Sequence, residues 1–185
     1  MTSAQTLSGE MTPEKRPQRQ LFIAFSRLPF LEFFSYQVLM ADVTQPEIKA
    51  AYEDVRAKTS DTNWLAIKYE SARSNKLKLI ATGTGGLEEL RTSEHLEKTD
   101  IAYVYAQVSY SNDKESQREK FILVTWIGED VTGIRKGKVS VHAADVKKVL
   151  NTYSIDIAAR ELDDLLEEPI VVRLRKAGGA SYDGV

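Results

Sequence analysis

Basic side chains in the second half of the chain are the residues whose types and spacing best suggest chemistry, namely electrostatic docking to an acidic surface. They form four short clusters: Lys114, Arg118 and Lys120; Arg135, Lys136 and Lys138; Lys147 and Lys148; Arg173, Arg175 and Lys176. Acidic residues such as Glu115, Glu119 and Glu129 interrupt them. Because a nucleic-acid duplex is usually met by a continuous basic patch, this pattern favours an acidic protein partner over a duplex.

Two other patterns could support chemistry but are better explained structurally. The stretch "TGTGGL", Thr82 to Leu87, lacks the ending of a phosphate-binding P-loop and does not match the dinucleotide fingerprint. It therefore predicts a glycine turn between a strand and a helix. His95 and His142 have no partners at metal-ligand spacing, and we predict His142 to be a helix cap or a surface residue.

Two further observations argue against a catalytic function. The acidic residues between Glu161 and Glu168 predict a solvated helix face rather than paired catalytic carboxylates. The chain has no cysteine, which excludes thiol nucleophiles, disulfides and cysteine-bound zinc. We therefore expect no catalytic residue, no metal and no cofactor, and a protein that is not an enzyme.

The composition predicts one globular domain. The chain has 185 residues, of which 42% are hydrophobic and 28% charged, enough to build a core. Its net charge of −2 comes from 25 basic and 27 acidic residues, which argues against bulk binding to nucleic acid or membrane. A partner must then be met by a local patch. The absence of cysteine fits a cytoplasmic location.

The first 39 residues differ from the rest. The segment from Leu21 to Met40 is rich in Phe and Leu, but Arg27, Pro29 and Glu32 interrupt it. It therefore predicts neither a membrane span nor a secretory signal. We interpret residues 1–39 as a disordered extension or a misassigned start, and residues 40–185 as the domain, with a flexible tail after about 177.

Periodicity predicts most elements of the first half. A helix is expected over about residues 45–58, started by a capping box between Thr44 and Glu47. Trp64–Glu70 and Lys76–Gly83 predict a β-hairpin. A short helix follows the glycine turn, and the β-branched and aromatic residues of 101–110 predict a further strand.

The second half centres on Phe121–Ile127, seven uncharged residues that predict a central strand covered on both faces. A polar loop before it is expected to carry the basic residues that end at Lys120. After it, residues 131–138 predict a turn or a single helical turn, and residues from Ser140 predict an amphipathic helix. A brief strand and a second helix follow, and Pro169 is expected to bend or end that helix.

This order of elements predicts an α/β (α+β) fold with a central mixed sheet flanked by helices on both faces. Three stretches then resemble the coactosins, within the actin-depolymerising-factor homology superfamily. They are "MADVTQPEIKAAYEDVRAKTSDTNWLAIKYE" from Met40, "KFILVTWIGEDVTGIRKGKVSVHAADVKKVL" from Lys120 and "LRKAGGASYDG" from Leu174. The resemblance covers Met40 to Gly184 in the right order, and residues 1–39 have no counterpart in it.

The resemblance implies a sheet of five or six strands with two helices on each side. It also implies a cytoplasmic, cytoskeletal, non-enzymatic protein that binds along actin filaments and opposes capping of their ends. Lys120 corresponds to the key filament contact. Together with the basic clusters, this predicts an actin-binding set: Lys114, Arg118, Lys120, Lys136, Lys138, Lys147, Lys148, Arg175 and Lys176.

Two departures from the family pattern stand out. Glu119 separates Arg118 from Lys120, and Pro169 enters a region that some relatives keep helical. We expect the protein to be a monomer. Its affinity for filaments should be modest, because each exposed ion pair contributes only about 0.2–1 kcal/mol. Three alternatives stay open: a cofilin-like protein that severs filaments or binds actin monomers, a small-molecule enzyme using the glycine turn, and a scaffold acting through the acidic helix or the tail.

Overall fold

The structure, a computed structural model, describes residues 40–111 and 117–178. The predictions about residues 1–39, about Lys114 and about the tail beyond Gly178 lie outside these described residues. All other elements and candidate site residues lie within them.

Four helices and five strands follow one another along the described residues in the predicted order. The helices are α1 (Pro46–Arg56), α2 (Gly86–Thr92), α3 (Gly133–Val149) and α4 (Glu167–Ala177), with a 3-10 turn at Leu162–Leu165. The strands are β1 (Trp64–Tyr69), β2 (Leu77–Gly83), β3 (Ile101–Ser111), β4 (Gln117–Ile127) and β5 (Ile155–Ala159). They form one sheet in the order β2-β1-β3-β4-β5, in which only β4 and β5 pair in parallel. The predicted fold class is confirmed.

Two apolar layers, one on each face of the sheet, hold the helices in place. On one face α2 and α4 contribute residues such as Leu90 and Ile170. On the other face α1 and α3 contribute residues such as Ile48 and Val146. Alternating side chains of β4 enter both layers. Burial contributes about 1.5–3 kcal/mol per large side chain, so two helices are fixed on each face, as the resemblance implied.

Strand β4 is internal, as predicted, but it is longer than the uncharged run. It pairs with β3 from Gln117 to Ile127 and with β5 over its apolar half. Arg118 and Lys120, predicted to lie in a loop, are strand residues. Polar residues are tolerated in this part of the ladder because it is exposed, and that polarity made the segment resemble a loop.

Helix α3 begins seven residues earlier than predicted. Residues 131–138 predict only a turn or a single helical turn, and they contain Gly133 and Gly137, each of which weakens a helix by about 1 kcal/mol. Gly133 starts the helix with a φ of 71°, a conformation that glycine adopts without strain. Val139, His142 and Val146 are buried on one side of the helix, and this packing outweighs the low propensity. His142, predicted to be a cap or a surface residue, is completely buried.

The acidic segment and Pro169 also differ from the prediction. Only Leu162–Leu165 form a short 3-10 turn, and α4 then starts at Glu167. Pro169 therefore lies in the first turn of a helix, where its missing N–H is not needed, and it does not end one. As a consequence, Arg173 and Arg175 are both helical.

The predicted capping box is also wrong. Gln45, not Thr44, precedes the first helical residue, and no side chain caps α1. The Thr44 hydroxyl instead donates to Asp42 Oδ1 at 2.6 Å. The Thr44 hydroxyl is therefore used in a local turn with Asp42 and does not cap the helix.

Candidate functional site

The end of the sheet at which β3 and β4 close, which we call the hairpin end, carries two of the predicted binding residues. In its last pairs, Tyr110 lies opposite Arg118 and Ser111 opposite Gln117. Arg118 is exposed and Lys120 partly exposed. Because side chains alternate along a strand, Arg118 and Lys120 project from the same sheet face, the one that α2 and α4 cover.

Helices α3 and α4, which lie on opposite faces of the sheet, both finish near the hairpin end. Lys147, in the last turn of α3, pairs with Asp156, and Asp156 lies opposite Leu123 on β4. The end of α3 therefore lies near Leu123, three residues from Lys120. In the last turn of α4, Arg175 donates to the carbonyl of Ser111 at 2.8 Å. The sheet therefore brings three of the sequence-predicted groups to one end: the β4 pair, Lys147 with Lys148, and Arg175 with Lys176. Cations in these last turns also complement the helix dipoles.

Lys147 and Lys148, in the last turn of α3, each have an intramolecular partner. The Lys147 ammonium lies 2.7 Å from the Asp156 carboxylate, and that of Lys148 lies 2.8 Å from Asp145. The hydrogen bond between Lys147 and Asp156 lowers the pKa of Asp156 and raises the pKa of Lys147. The Lys148 side chain remains 65% exposed, so its charge stays accessible to a partner.

Asp145 joins the start of the described chain to α3. One carboxylate oxygen accepts from the Ala41 N–H at 3.0 Å, and the other from Lys148. Burial opposes ionisation of Asp145, but these hydrogen bonds outweigh it and hold its pKa below the ordinary value of 3.8. The carboxylate therefore stabilises the fold above pH 3.8, and this contribution is lost as the pH falls through the lowered pKa.

Replacing Asp145 with asparagine is expected to lower the free energy of unfolding at pH 7 by about 1–2 kcal/mol, because a charge-assisted pair is lost. Denaturant unfolding at several pH values measures this, and the difference from wild type should shrink as the pH falls below 3.8. Asp156→Asn is the control and should cost less than about 0.5 kcal/mol, since that carboxylate is exposed. A difference independent of pH would contradict the assignment.

Lys136 and Lys138 lie away from the hairpin end, in the first half of α3. Their neighbour Arg135 stacks on the Tyr69 ring, 4.1 Å from its centre, and donates to the Ser71 carbonyl at 3.3 Å. These contacts lie where β1 ends, level with Trp126 on β4. Six residues of β4, or about 20 Å, separate that level from Lys120. The structure therefore does not place these two lysines with the other predicted residues.

An exposed apolar strip on α3 was missed by the sequence reasoning. Ile134 is 81% exposed and Val141 48% exposed. Lys148 follows at the same spacing of seven residues, so the three side chains lie along one side of the helix. The strip therefore begins near Tyr69, the last residue of β1, and runs towards the hairpin end. The seven-residue spacing could have revealed it, but only with α3 starting at Gly133.

The glycine turn is occupied by a side chain of the protein itself. Glu89 Oε2 accepts from the Gly85 N–H and from the Trp64 indole N–H, each at 2.7 Å. The hydrogen bond from Gly85 lowers the pKa of Glu89, which keeps the carboxylate ionised. A phosphate at this turn would meet that negative charge, so the geometry disfavours the alternative of a small-molecule enzyme that uses the glycine turn.

His142 and Asp164 make hydrogen bonds within the fold. His142 Nδ1 lies 2.7 Å from the Tyr69 hydroxyl, which also contacts the Tyr103 hydroxyl at 3.1 Å. Asp164 accepts from the backbone N–H groups of Arg160 and Glu161, and these bonds lower its pKa. Within residues 40–111 and 117–178, no group of three or more potential ligands could hold a metal ion. Nor does any helix in these ranges have the length and apolarity needed to cross a membrane.

Comparison with known proteins identifies the class of protein. Residues 40–175 match the family described as cofilin/tropomyosin-type actin-binding protein. The chain therefore belongs to that family. Its open mixed sheet with paired helices on both faces is the fold of solved members: coactosin from Entamoeba histolytica superposes with a TM-score of 0.65 at 27% identity, over 76% of this chain and 96% of that one.

Within the family, the chain is of the coactosin type. Coactosin from Dictyostelium discoideum is 42% identical over 145 residues, which are 78% of this chain and 97% of that protein. Mouse coactosin, described as an actin filament binding protein, superposes with a TM-score of 0.60 at 27% identity, over 77% of this chain and 96% of that one. The resemblance noted from the sequence is thus confirmed, and the chain is a coactosin-type actin-binding protein.

Proposed function

We propose that this protein acts as a monomer that binds along the side of actin filaments and has no catalytic activity. The observation that carries the proposal is the convergence of Arg118 and Lys120 with the last turns of α3 and α4 at the hairpin end. Mouse coactosin, which shares the fold and is described as filament-binding, supports the choice of the filament. A cytoplasmic, cytoskeletal location follows, with neither nucleic acid nor membrane as partner.

The hairpin end supplies charge and the α3 strip supplies apolar area. Basic side chains at the rim of an interface mainly steer association and set its salt dependence. Apolar groups on the strip contribute about 25 cal/mol for each Å² of their surface that becomes buried against the partner. Lys148 ends the strip near the hairpin end, so we take the two surfaces as one interface that continues around that end of the sheet, from the face covered by α3 to the face that carries Lys120. Lys136 and Lys138, in the first half of α3, would contribute at its margin.

Co-sedimentation with polymerised actin across a salt series tests the proposal. The protein should pellet with filaments at low ionic strength, and the bound fraction should fall as salt screens the exposed charges over about 10 Å at 0.1 M. The protein centrifuged without actin is the control for self-association. Retention in the supernatant at the lowest salt concentration would overturn the proposal.

Microscopy of single filaments separates this proposal from a cofilin-like activity. A side-binding protein should decorate filaments without shortening them, whereas a severing protein should increase the number of filament ends. Opposition to end capping, which the family resemblance implies, is measured in the same assay by adding a capping protein. Continued growth of decorated filaments is the expected result. Fragmentation at saturating protein would favour the cofilin-like alternative.

A further inference from the structure

We propose that Arg175 is a positioning residue: it holds the hairpin end in the conformation that presents Arg118 and Lys120, and it does not itself contact the filament. This inference rests on the proposed function and changes the role that the sequence predicted for Arg175. It makes the last turn of α4 a brace for the β3–β4 hairpin.

The Arg175 guanidinium is committed to the final two pairs of the hairpin. It donates to the carbonyl of Ser111, the last residue of β3, at 2.8 Å. Its Cζ also lies 5.8 Å from the centre of the Tyr110 ring. Tyr110 is buried and is the register partner of Arg118, while Ser111 pairs with Gln117. Arg175 therefore acts on the pair that carries Arg118 and on the pair beyond it.

The position of Arg175 suits a brace. Helix α4 is fixed to the sheet by Ile170 and Leu174, which are fully or nearly fully buried. The hairpin end has less support, because its strand residues from Gln117 to Glu119 are exposed. A planar guanidinium can stack on a ring and donate hydrogen bonds at the same time, whereas a lysine ammonium cannot reproduce both contacts.

Neighbouring cations on α4 provide matched controls. Arg173 donates to the carbonyl of Asp156 at 3.3 Å, a contact to β5 and not to the hairpin. Lys176 is exposed and follows Arg175 directly. Removing either charge alters the local field to a similar extent as removing Arg175, but only Arg175 contacts Tyr110 and Ser111 among these three.

Amide hydrogen exchange of the free protein gives the first readout, since a direct filament contact would not affect it. Arg175→Ala should speed exchange in residues 109–111 and 117–120 by about five-fold, because one charge-assisted hydrogen bond restrains their opening. Arg175→Lys should give an intermediate increase. Lys176→Ala and Arg173→Ala should leave these amides unchanged. An unchanged rate in Arg175→Ala would overturn the inference.

Filament binding in a double-mutant cycle gives the second readout. Arg175→Ala alone should weaken co-sedimentation by about three- to five-fold, but should add little when Lys120 is already alanine, because both act through the hairpin. Independent, additive losses would assign Arg175 to the interface and overturn its positioning role. Faster exchange without loss of binding would overturn it as well. Failure of the wild-type protein to pellet would instead refute the proposed function.

Discussion

Replacing Lys120 with alanine is expected to weaken co-sedimentation with actin filaments by about ten-fold, which corresponds to about 1.4 kcal/mol. Lys120 projects from the paired part of β4, opposite Val108, so its backbone is held by the β3 ladder before any partner binds. A preorganised charge loses less conformational entropy on binding than one in a free loop. The salt dependence of binding should also decrease, because one steering charge has been removed.

Lys98→Ala is the matched control for Lys120→Ala. Lys98 is an exposed lysine that lies 3.5 Å from Glu129, beyond the other end of β4. The variant should pellet like wild type, and both variants should unfold at nearly the wild-type temperature because both side chains reach solvent. Unchanged pelleting of Lys120→Ala would remove Lys120 from the interface. An equal loss in both variants would show that only the net charge matters.

Placing an aspartate on the α3 strip is expected to have a comparable effect on binding by a different route. Ile134→Asp and Val141→Asp should each lower filament affinity by about ten-fold or more, because a charge would be desolvated in an apolar contact. Ile134 lies in the first turn of α3, where an acidic residue interacts favourably with the helix dipole. The Ile134 variant should therefore be as stable as wild type, so lost binding could not be attributed to unfolding.

Ile80→Asp provides the same chemical change away from the proposed interface. Ile80 is 38% exposed and lies on β2, the edge strand farthest from β5. The filament affinity of the Ile80→Asp variant should match that of wild type. Its free energy of unfolding should fall by up to about 1 kcal/mol, because aspartate has a lower β propensity than isoleucine. Wild-type binding by both α3 variants would exclude the strip and leave the hairpin end as the interface.

The hairpin and strip variants together distinguish two kinds of contact. Loss of binding in Lys120→Ala should be most evident at low salt, where electrostatic steering is strongest. Loss of binding in Val141→Asp should persist at high salt, because burial of apolar area is not screened. If both losses disappeared at high salt, the loss in Val141→Asp would reflect charge repulsion by the introduced aspartate and not a lost apolar contact.

Much of the fold could be read from local patterns. The apolar run ending at Ile127, the alternation in β2 and the spacing in α1 each mark buried faces whose period is set by backbone geometry. The errors occurred where local propensity opposed packing. The glycines near Gly133 predicted a turn, yet contacts made by Val139 and Val146 extend the helix. Pro169 predicted a bend or an end of a helix, yet a proline is equally suited to a first turn.

The candidate site shows the same division. The identities of Lys120, Arg118 and the basic residues at the ends of α3 and α4 were apparent from the sequence and its family resemblance. Their grouping was not, because it depends on the β3–β4 register and on helices that approach one end of the sheet from opposite faces. The exposed side of Ile134 and the commitment of Arg175 to Ser111 are likewise visible only in three dimensions.

The amino-acid sequence by itself determined the class of fold, the central strand and the family, because periodic burial and long matching segments are properties of the chain alone. Only the tertiary structure decided which cations share a surface, which are already paired within the molecule, and which apolar residues remain exposed. The physical reason is that charge and exposure act through space. Residues far apart in sequence become neighbours only after the sheet has set its register and the helices have packed against it.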